Sequence, residues 1–300
     1  MHEVVADKQA WEFVEGHKIA PGRTVLKPLG GGHDYEVYLV WDDHLFSIMV
    51  AKLLRPDRFD DPKALRSLER EAAALDRLAH PTLLRGFGAV LDGPFPHVLV
   101  EHLEGPSLRR LIRRNGPLSL QQVLPLALSV ASAVHYMHAE GYVHLDIKPD
   151  NIVVGIPPRL IDFSLVRSLR RARRITGWIG TRAYMPPEQC APGEAGEIGP
   201  WSDVWGLGAT LFHAVSGKRP FSRGSSDTGL SREERFPQLV EDVRPWPVRV
   251  PPELSQAVLA CLRRNTDERP SAAELALSLE PLVAALPAKL RLSRGGRIQA

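Results

Sequence analysis

The chain has 300 residues, 44% of them apolar and 24% charged, which excludes a mostly disordered protein. A formal net charge of +3 is too small to imply a nucleic-acid partner by itself, although Arg outnumbers Lys by 30 to 8. Two cysteines, Cys190 and Cys261, stand in no metal-ligand spacing, so neither a disulfide framework nor a zinc site is expected. The longest apolar run, 124–134, is too short for a membrane span and reads as a buried helix. The N-terminus carries Glu3, Asp7, Glu12 and Glu15 and lacks a basic start with an apolar core, so no secretory signal is expected. A soluble, cytoplasmic protein with no membrane span and no nucleic-acid partner is the expectation.

Residues 1–23 read as an extension with one helical turn, closed by Pro21-Gly22. Strand-like segments follow at 24–29, 36–41 and 46–54, rich in β-branched and aromatic residues. Leu65, Leu68, Ala72, Leu75 and Leu78 then mark one face of a helix that His80-Pro81 ends. Two more strands, 83–90 and 97–102, close a first lobe near residue 103. Beyond it, a long apolar stripe from Leu120 to Val134 predicts a helix ending before Gly141. Short strands at 152–154 and 160–161, a polar stretch at 163–182 and helices near 202–217, 253–263 and 271–284 complete the order. Residues 222–248 read as a long surface connection and 285–300 as a basic tail.

Five places carry more polar chemistry than a scaffold needs. Leu29-Gly30-Gly31-Gly32, followed by Val37, joins two strands; it is either a flexible turn or a loop whose bare N–H groups cover phosphates. Lys52 sits in the apolar strand Ile48-Met49-Val50-Ala51-Lys52-Leu53-Leu54, where an unpaired ammonium costs several kcal/mol, on the order of 3 or more. Glu71, on the inward face of the first helix, offers it a partner; separately, each is also readable as a flanking charge. His144-Leu145-Asp146-Ile147-Lys148-Pro149-Asp150-Asn151 packs a proton acceptor, a cation and a metal-competent amide into one loop. Asp162 ends a strand as a carboxylate able to hold a divalent cation. The fifth, Gly180-Thr181-Arg182-Ala183-Tyr184-Met185-Pro186-Pro187-Glu188, with Asp203 and Arg269 far downstream, reads as scaffolding: Glu188 paired with Arg269, Asp203 bonded to backbone.

In order and spacing these motifs, over about residues 24–284, resemble the bacterial Ser/Thr protein kinases of eukaryotic-like type. The resemblance implies an α+β two-lobed protein-kinase fold. Residues 24–103 would form an antiparallel sheet with one helix, and 104–284 a mainly helical lobe. It implies transfer of the γ-phosphoryl group of ATP, with Mg2+, to a Ser or Thr hydroxyl of a protein, and self-association for autophosphorylation. Lys52 would hold the α/β-phosphates with Glu71 orienting it; Asp146 would be the base and Lys148 the γ-phosphate partner. Asn151 and Asp162 would ligate the metal, and Thr181 would support the hydroxyl site. Leu29, Gly30, Gly31, Gly32, Val37, Val50, Val100, Glu101, Leu103 and Val153 would enclose the nucleotide.

Departures accompany the match. Tyr35 replaces the third loop glycine, Val50 the usual alanine, Leu145 the arginine before the aspartate, and Ser164 the glycine after Asp162-Phe163. The replaced arginine normally clasps a phosphorylated segment, so Arg167, Arg170, Arg171, Arg173 and Arg174 could take that phosphate, on Ser168 or Thr176, instead. A solvated loop and a preference for acidic substrates are the competing readings. A pseudokinase acting as a binding or scaffolding module is the alternative function; a small-molecule kinase of related fold is a third.

Overall fold

The computed structural model describes residues 9–32, 34–246 and 249–287. Its first lobe is a six-stranded antiparallel sheet: β1 (Lys18–Ala20), β2 (Arg23–Gly31), β3 (Tyr35–Asp42), β4 (Ser47–Leu54), β5 (Gly86–Val90) and β6 (His97–Glu101). The spatial order is β1-β2-β3-β4-β6-β5. Alternation along β4 decides its faces. Met49, Ala51 and Leu53 join Val25, Tyr38, Val40 and Leu99 on the outer face, whereas Val50, Lys52 and Leu54 face the cleft side.

No helical turn occurs among residues 9–22; this segment is a strap across the outer face, ending in β1. Pro21-Gly22 turns β1 back onto β2, and the rings of Trp11, Phe13, His17 and Phe95 stack over the apolar outer face. The strand expected from residue 83 begins only at Gly86. Residues 82–84 are instead bonded to the second lobe: Leu160 N donates to Thr82 O (2.7 Å) and Leu84 N to Leu160 O (3.0 Å). Helix α1 (Pro62–Arg77) starts at Asp61, whose side chain accepts from Lys63 N, with Pro62 in the first turn. It buries Ala64, Leu68, Glu71, Ala74 and Leu75, so the carboxylate of Glu71 does point inward.

The second lobe is built on α3 (Leu120–Ala139), α6 (Pro200–Ser216), α8 (Pro252–Cys261) and α9 (Ala272–Ala284), with shorter helices α2 (Leu108–Asn115), α4 (Leu169–Ala172), α5 (Pro187–Cys190) and α7 (Arg232–Arg235). Four short strands, β7 (Tyr142–Val143), β8 (Ile152–Val153), β9 (Arg159–Leu160) and β10 (Arg167–Ser168), pair as β7 with β10 and β8 with β9. Every residue of α6 from Ser202 to Ser216 is buried, the mark of a helix with no solvent face. A Cβ on Gly208 would lie 2.5 Å from Cys261 Cβ, so α6 and α8 approach closely there. The 222–248 stretch is not wholly a surface connection. A short α7 (Arg232–Arg235) leads into buried Phe236 and Gln238, and Gln238 Nε2 donates to Arg182 O (2.8 Å) and Met185 O (3.0 Å).

Glu188 and Arg269 form a doubly hydrogen-bonded pair, Nη1–Oε1 2.7 Å and Nη2–Oε2 3.0 Å. Both side chains are fully buried, and the guanidinium lies 4.9 Å from the Trp205 ring centroid. Removing one member leaves the other charge buried and unpaired. Arg269→Met is therefore expected to cost about 3–5 kcal/mol in urea unfolding. Arg269→Met/Glu188→Leu should recover most of that loss; a single variant within ~1 kcal/mol of wild type would contradict the assignment.

Candidate active site

The cleft between the lobes gathers three parts of the chain around one ammonium. Lys52 Nζ donates to Glu71 Oε1 (2.8 Å), Glu71 Oε2 (2.9 Å) and Asp162 Oδ1 (2.9 Å). Burial by itself lowers the pKa of Lys52, but the two carboxylates outweigh it and raise it. Asp162 shows the converse balance: burial opposes its charge, and Lys52 holds its carboxyl well below the usual range. Burial pushes Glu71 up despite the same lysine. The fourth neighbour is Tyr35, whose ring centroid lies 4.5 Å from Lys52 Nζ. Tyr35 and Val37 share a face of β3 by alternation, and Tyr35 is buried beside Leu68 in the larger core cluster. Its burial, and secondarily Glu71, raises the phenol pKa, so the ring is neutral.

A second polar centre lies in the loop between β7 and β8. Asp146 Oδ2 accepts from Lys148 Nζ (2.6 Å) and Asn151 Nδ2 (3.1 Å), and Oδ1 accepts from Thr181 Oγ1 (2.7 Å). Lys148 Nζ also donates to Thr181 Oγ1 (2.7 Å). The loop is fixed from below. Asp203 accepts from the backbone N of His144 (2.8 Å) and Leu145 (2.7 Å), and Gln189 Nε2 donates to Leu145 O (2.9 Å). Leu145 and Asp162 adopt left-handed backbone, φ 65° and 70°, a strained state for such residues that persists only where surroundings enforce it. Leu145 packs with Val143, Ala172 and Ile198, so an apolar contact stands where a charged residue was the family expectation.

Strand register lines up several of the residues expected to enclose the nucleotide. Gly30 faces Val37 across β2–β3, Val37 faces Lys52 across β3–β4, and Val50 faces Val100 across β4–β6. A Cβ on Gly31 would meet Tyr35 O at 2.7 Å, so the loop closes only with glycine there, and Gly32 N donates to Tyr35 O (2.8 Å). Val153 bridges to Ser107 below the connection between lobes, where Leu103 is half-buried against the core. Leu29 is exposed, and Glu101, expected to meet adenine through its backbone, has its carboxylate engaged by Arg85 N and Arg159 Nε (both 3.0 Å). For a divalent cation, Asn151 offers its amide oxygen, since Nδ2 is engaged by Asp146, and Asp162 offers Oδ2. Among the described residues no group of three or more His, Cys, Asp or Glu is present to cage a metal. Two oxygen donors fit an ion whose remaining positions are completed by substrate oxygens and water.

The protein kinase domain family matches residues 23–278, and the chain belongs to that family. It is 31% identical over 265 residues to serine/threonine-protein kinase PknB of Mycolicibacterium smegmatis, covering 84% of this chain and 41% of that protein. It is 33% identical over 239 residues to serine/threonine-protein kinase PkaA of Streptomyces coelicolor, covering 76% and 42%. A probable serine/threonine-protein kinase PkwA of Thermomonospora curvata is 32% identical over 265 residues, covering 87% and 34%. The chain thus spans less than half the length of these relatives. No helix among the described residues is long and apolar enough to cross a membrane.

Sequence reasoning missed Arg55. Its Nε donates to Gly32 O (3.0 Å) and its Nη1 to Gln9 O (3.2 Å), while Nη1 also reaches Glu36 Oε1 (3.5 Å), which accepts from Trp11 N (3.0 Å). One guanidinium therefore ties the glycine loop to the strap. A basic residue at the end of β4 was the only sequence signal. Loss of these bonds frees the loop, so Arg55→Ala should weaken Mg-ATP binding about three- to tenfold in a fluorescence titration. Unchanged affinity would contradict this positioning role.

Proposed function

We propose that this chain is a serine/threonine protein kinase acting with Mg-ATP, including on a second copy of itself. The observation that carries the proposal is the closed set of Asp146, Lys148, Asn151 and Thr181 set across the cleft from the Lys52–Glu71–Asp162 triad. A carboxylate has about four acceptor sites. Three are used at Asp146, which leaves Oδ1 one site for the proton of a Ser or Thr hydroxyl. Lys148 has one N–H beyond those given to Asp146 and Thr181, available to an equatorial γ-phosphate oxygen. As the hydroxyl oxygen bonds to the γ-phosphorus, the bond from phosphorus to the β–γ bridging oxygen breaks. ADP leaves, and the hydroxyl proton passes to Asp146. When bound, Mg2+ would neutralise phosphate charge from Asn151 and Asp162.

All three N–H groups of Lys52 are engaged, two by Glu71 and one by Asp162. Phosphate binding by Lys52 would therefore open its bond to Asp162, leaving that carboxylate to help hold the cation, whose charge would offset that of the phosphates. Glu71 would keep the lysine in place during that exchange. The three relatives, named as serine/threonine-protein kinases, support the hydroxyl acceptor, as does Thr181 beside Asp146. ATP as the phosphoryl donor supports a cytoplasmic reaction.

The test is intact mass of phosphatase-treated protein before and after Mg-ATP, with a generic Ser/Thr protein substrate present. Wild type should add phosphate to itself or the substrate. Asp146→Asn should lose about 10²–10⁴ in transfer rate while binding nucleotide normally. Asp162→Ala should lose both binding and transfer. ATP binding without any transfer by wild type would sink the proposal and favour a scaffolding module.

A further inference from the structure

Tyr35, which stands where a glycine was the family expectation, touches three parts of the site at once. The strand register pairs Tyr35 with Leu54 and Val37 with Lys52, so Tyr35 and Lys52 are diagonal neighbours on one face, a separation an aromatic ring spans. The ring centroid lies 4.5 Å from Lys52 Nζ, within reach of a cation–π contact. Tyr35 also belongs to the buried cluster that contains Ala64 and Leu68 of α1, and Leu68 lies about one helical turn before Glu71. The third part is the glycine corner, where the Tyr35 carbonyl accepts from Gly32 N (2.8 Å). The residue is only 8% exposed, and its hydroxyl, beside Ser67 of α1, is buried with no hydrogen-bond partner. A glycine at this position would offer none of the side-chain contacts. Toward its other end, α1 meets the sheet closely, since a Cβ on Gly86 of β5 would lie 2.8 Å from Leu75 Cβ. Glu71 sits between these two attachments.

We propose that Tyr35 is a positioning residue for phosphoryl transfer: its ring clamps the first half of α1 against Lys52 and so keeps Glu71 on the ammonium. The role rests on the kinase function proposed for this chain. All three N–H groups of Lys52 are spent on carboxylates, and the ring takes none of them. Its contact therefore persists while the third N–H passes from Asp162 to a phosphate oxygen. Ring and Glu71 then hold the ammonium together, one by its face and the other by two hydrogen bonds. Through its carbonyl the same residue fixes the glycine corner, so corner, lysine and α1 move as one body. The face of the ring does this work; the unpartnered hydroxyl contributes no hydrogen bond to it.

Two variants separate the face from the rest of the side chain. Tyr35→Phe keeps the face and removes only the hydroxyl, whereas Tyr35→Leu keeps apolar bulk and removes the face. The first arm is independent of kinase activity: hydrogen exchange is followed by mass spectrometry without nucleotide. Amides of residues 62–77 should exchange about three- to tenfold faster in Tyr35→Leu than in wild type, with α3 and α6 unchanged and Tyr35→Phe like wild type. The second arm is single-turnover transfer from Mg-ATP to a generic Ser/Thr protein substrate. Tyr35→Leu should transfer about three- to tenfold more slowly, with Mg-ATP affinity changed less, and Tyr35→Phe should stay within about twofold of wild type. Wild-type exchange of α1 in Tyr35→Leu overturns the proposal, and so does transfer by that variant at the wild-type rate. Faster exchange shared by α3 and α6 is general loss of stability and overturns it as well. An equal loss in Tyr35→Phe assigns the effect to the hydroxyl and overturns the role of the ring. If wild type transfers no phosphate while Tyr35→Leu loosens α1 alone, the kinase reading fails and the hold of the ring on α1 stands.

Discussion

The ion triad of Lys52, Glu71 and Asp162 is the constraint on which the rest of the site depends. It joins β4, α1 and the residue after the β9 strand region, with both carboxylates within 2.9 Å of one ammonium. In a partly buried cleft each charge is tolerated only because the others are present. The arrangement also fixes the relative position of the lobes, since Glu71 belongs to the first and Asp162 to the second. Tyr35 covers a further side of Lys52. The ring where a glycine was the family expectation contacts the ammonium without taking any of its N–H donors.

The loop carrying Asp146 is held by a different device. Polar side chains of the second lobe brace its backbone: Asp203 accepts two loop N–H groups, and Gln189 donates to the carbonyl of Leu145. That bracing sustains the left-handed Leu145, whose apolar side chain then packs on Ala172 and Ile198. Downstream, Arg167 and Arg171 line a space shared with Arg66 and Arg70 of α1. Two hubs result, one centred on an ammonium and one on a carboxylate, and in the proposed reaction both would act on one phosphate in the cleft between them.

The chemistry was legible in the sequence wherever a residue violated its local pattern. Lys52 in an apolar strand and Glu71 on an apolar helix face each announced a missing partner, and Glu188 with Arg269 behaved as expected of scaffolding. What escaped was decided by nonlocal contacts. The strap over the sheet depends on Trp11 meeting Leu54 O and Glu36, which no local periodicity encodes. Helix α2 was hidden because four of its eight residues are arginine, while its buried side chains are only Leu108 and Ile112. The late start of β5 reflects bonds from residues 82–84 to Leu160, nearly eighty positions away. Tyr35 was visible as a substitution, but its place over Lys52 required the strand register.

The most direct test of the triad as the organising contact is a single-turnover measurement of γ-phosphoryl transfer in wild type and Glu71→Gln, with Mg-ATP affinity measured on the same preparations. The glutamine keeps shape and removes the charge that holds Lys52 when Asp162 departs. The account predicts a transfer rate lower by about tenfold or more with nucleotide affinity changed much less, since a charged hydrogen bond of about 1.5–3 kcal/mol is lost in the aligned state. A Glu71→Gln protein that transfers phosphate at the wild-type rate would contradict it.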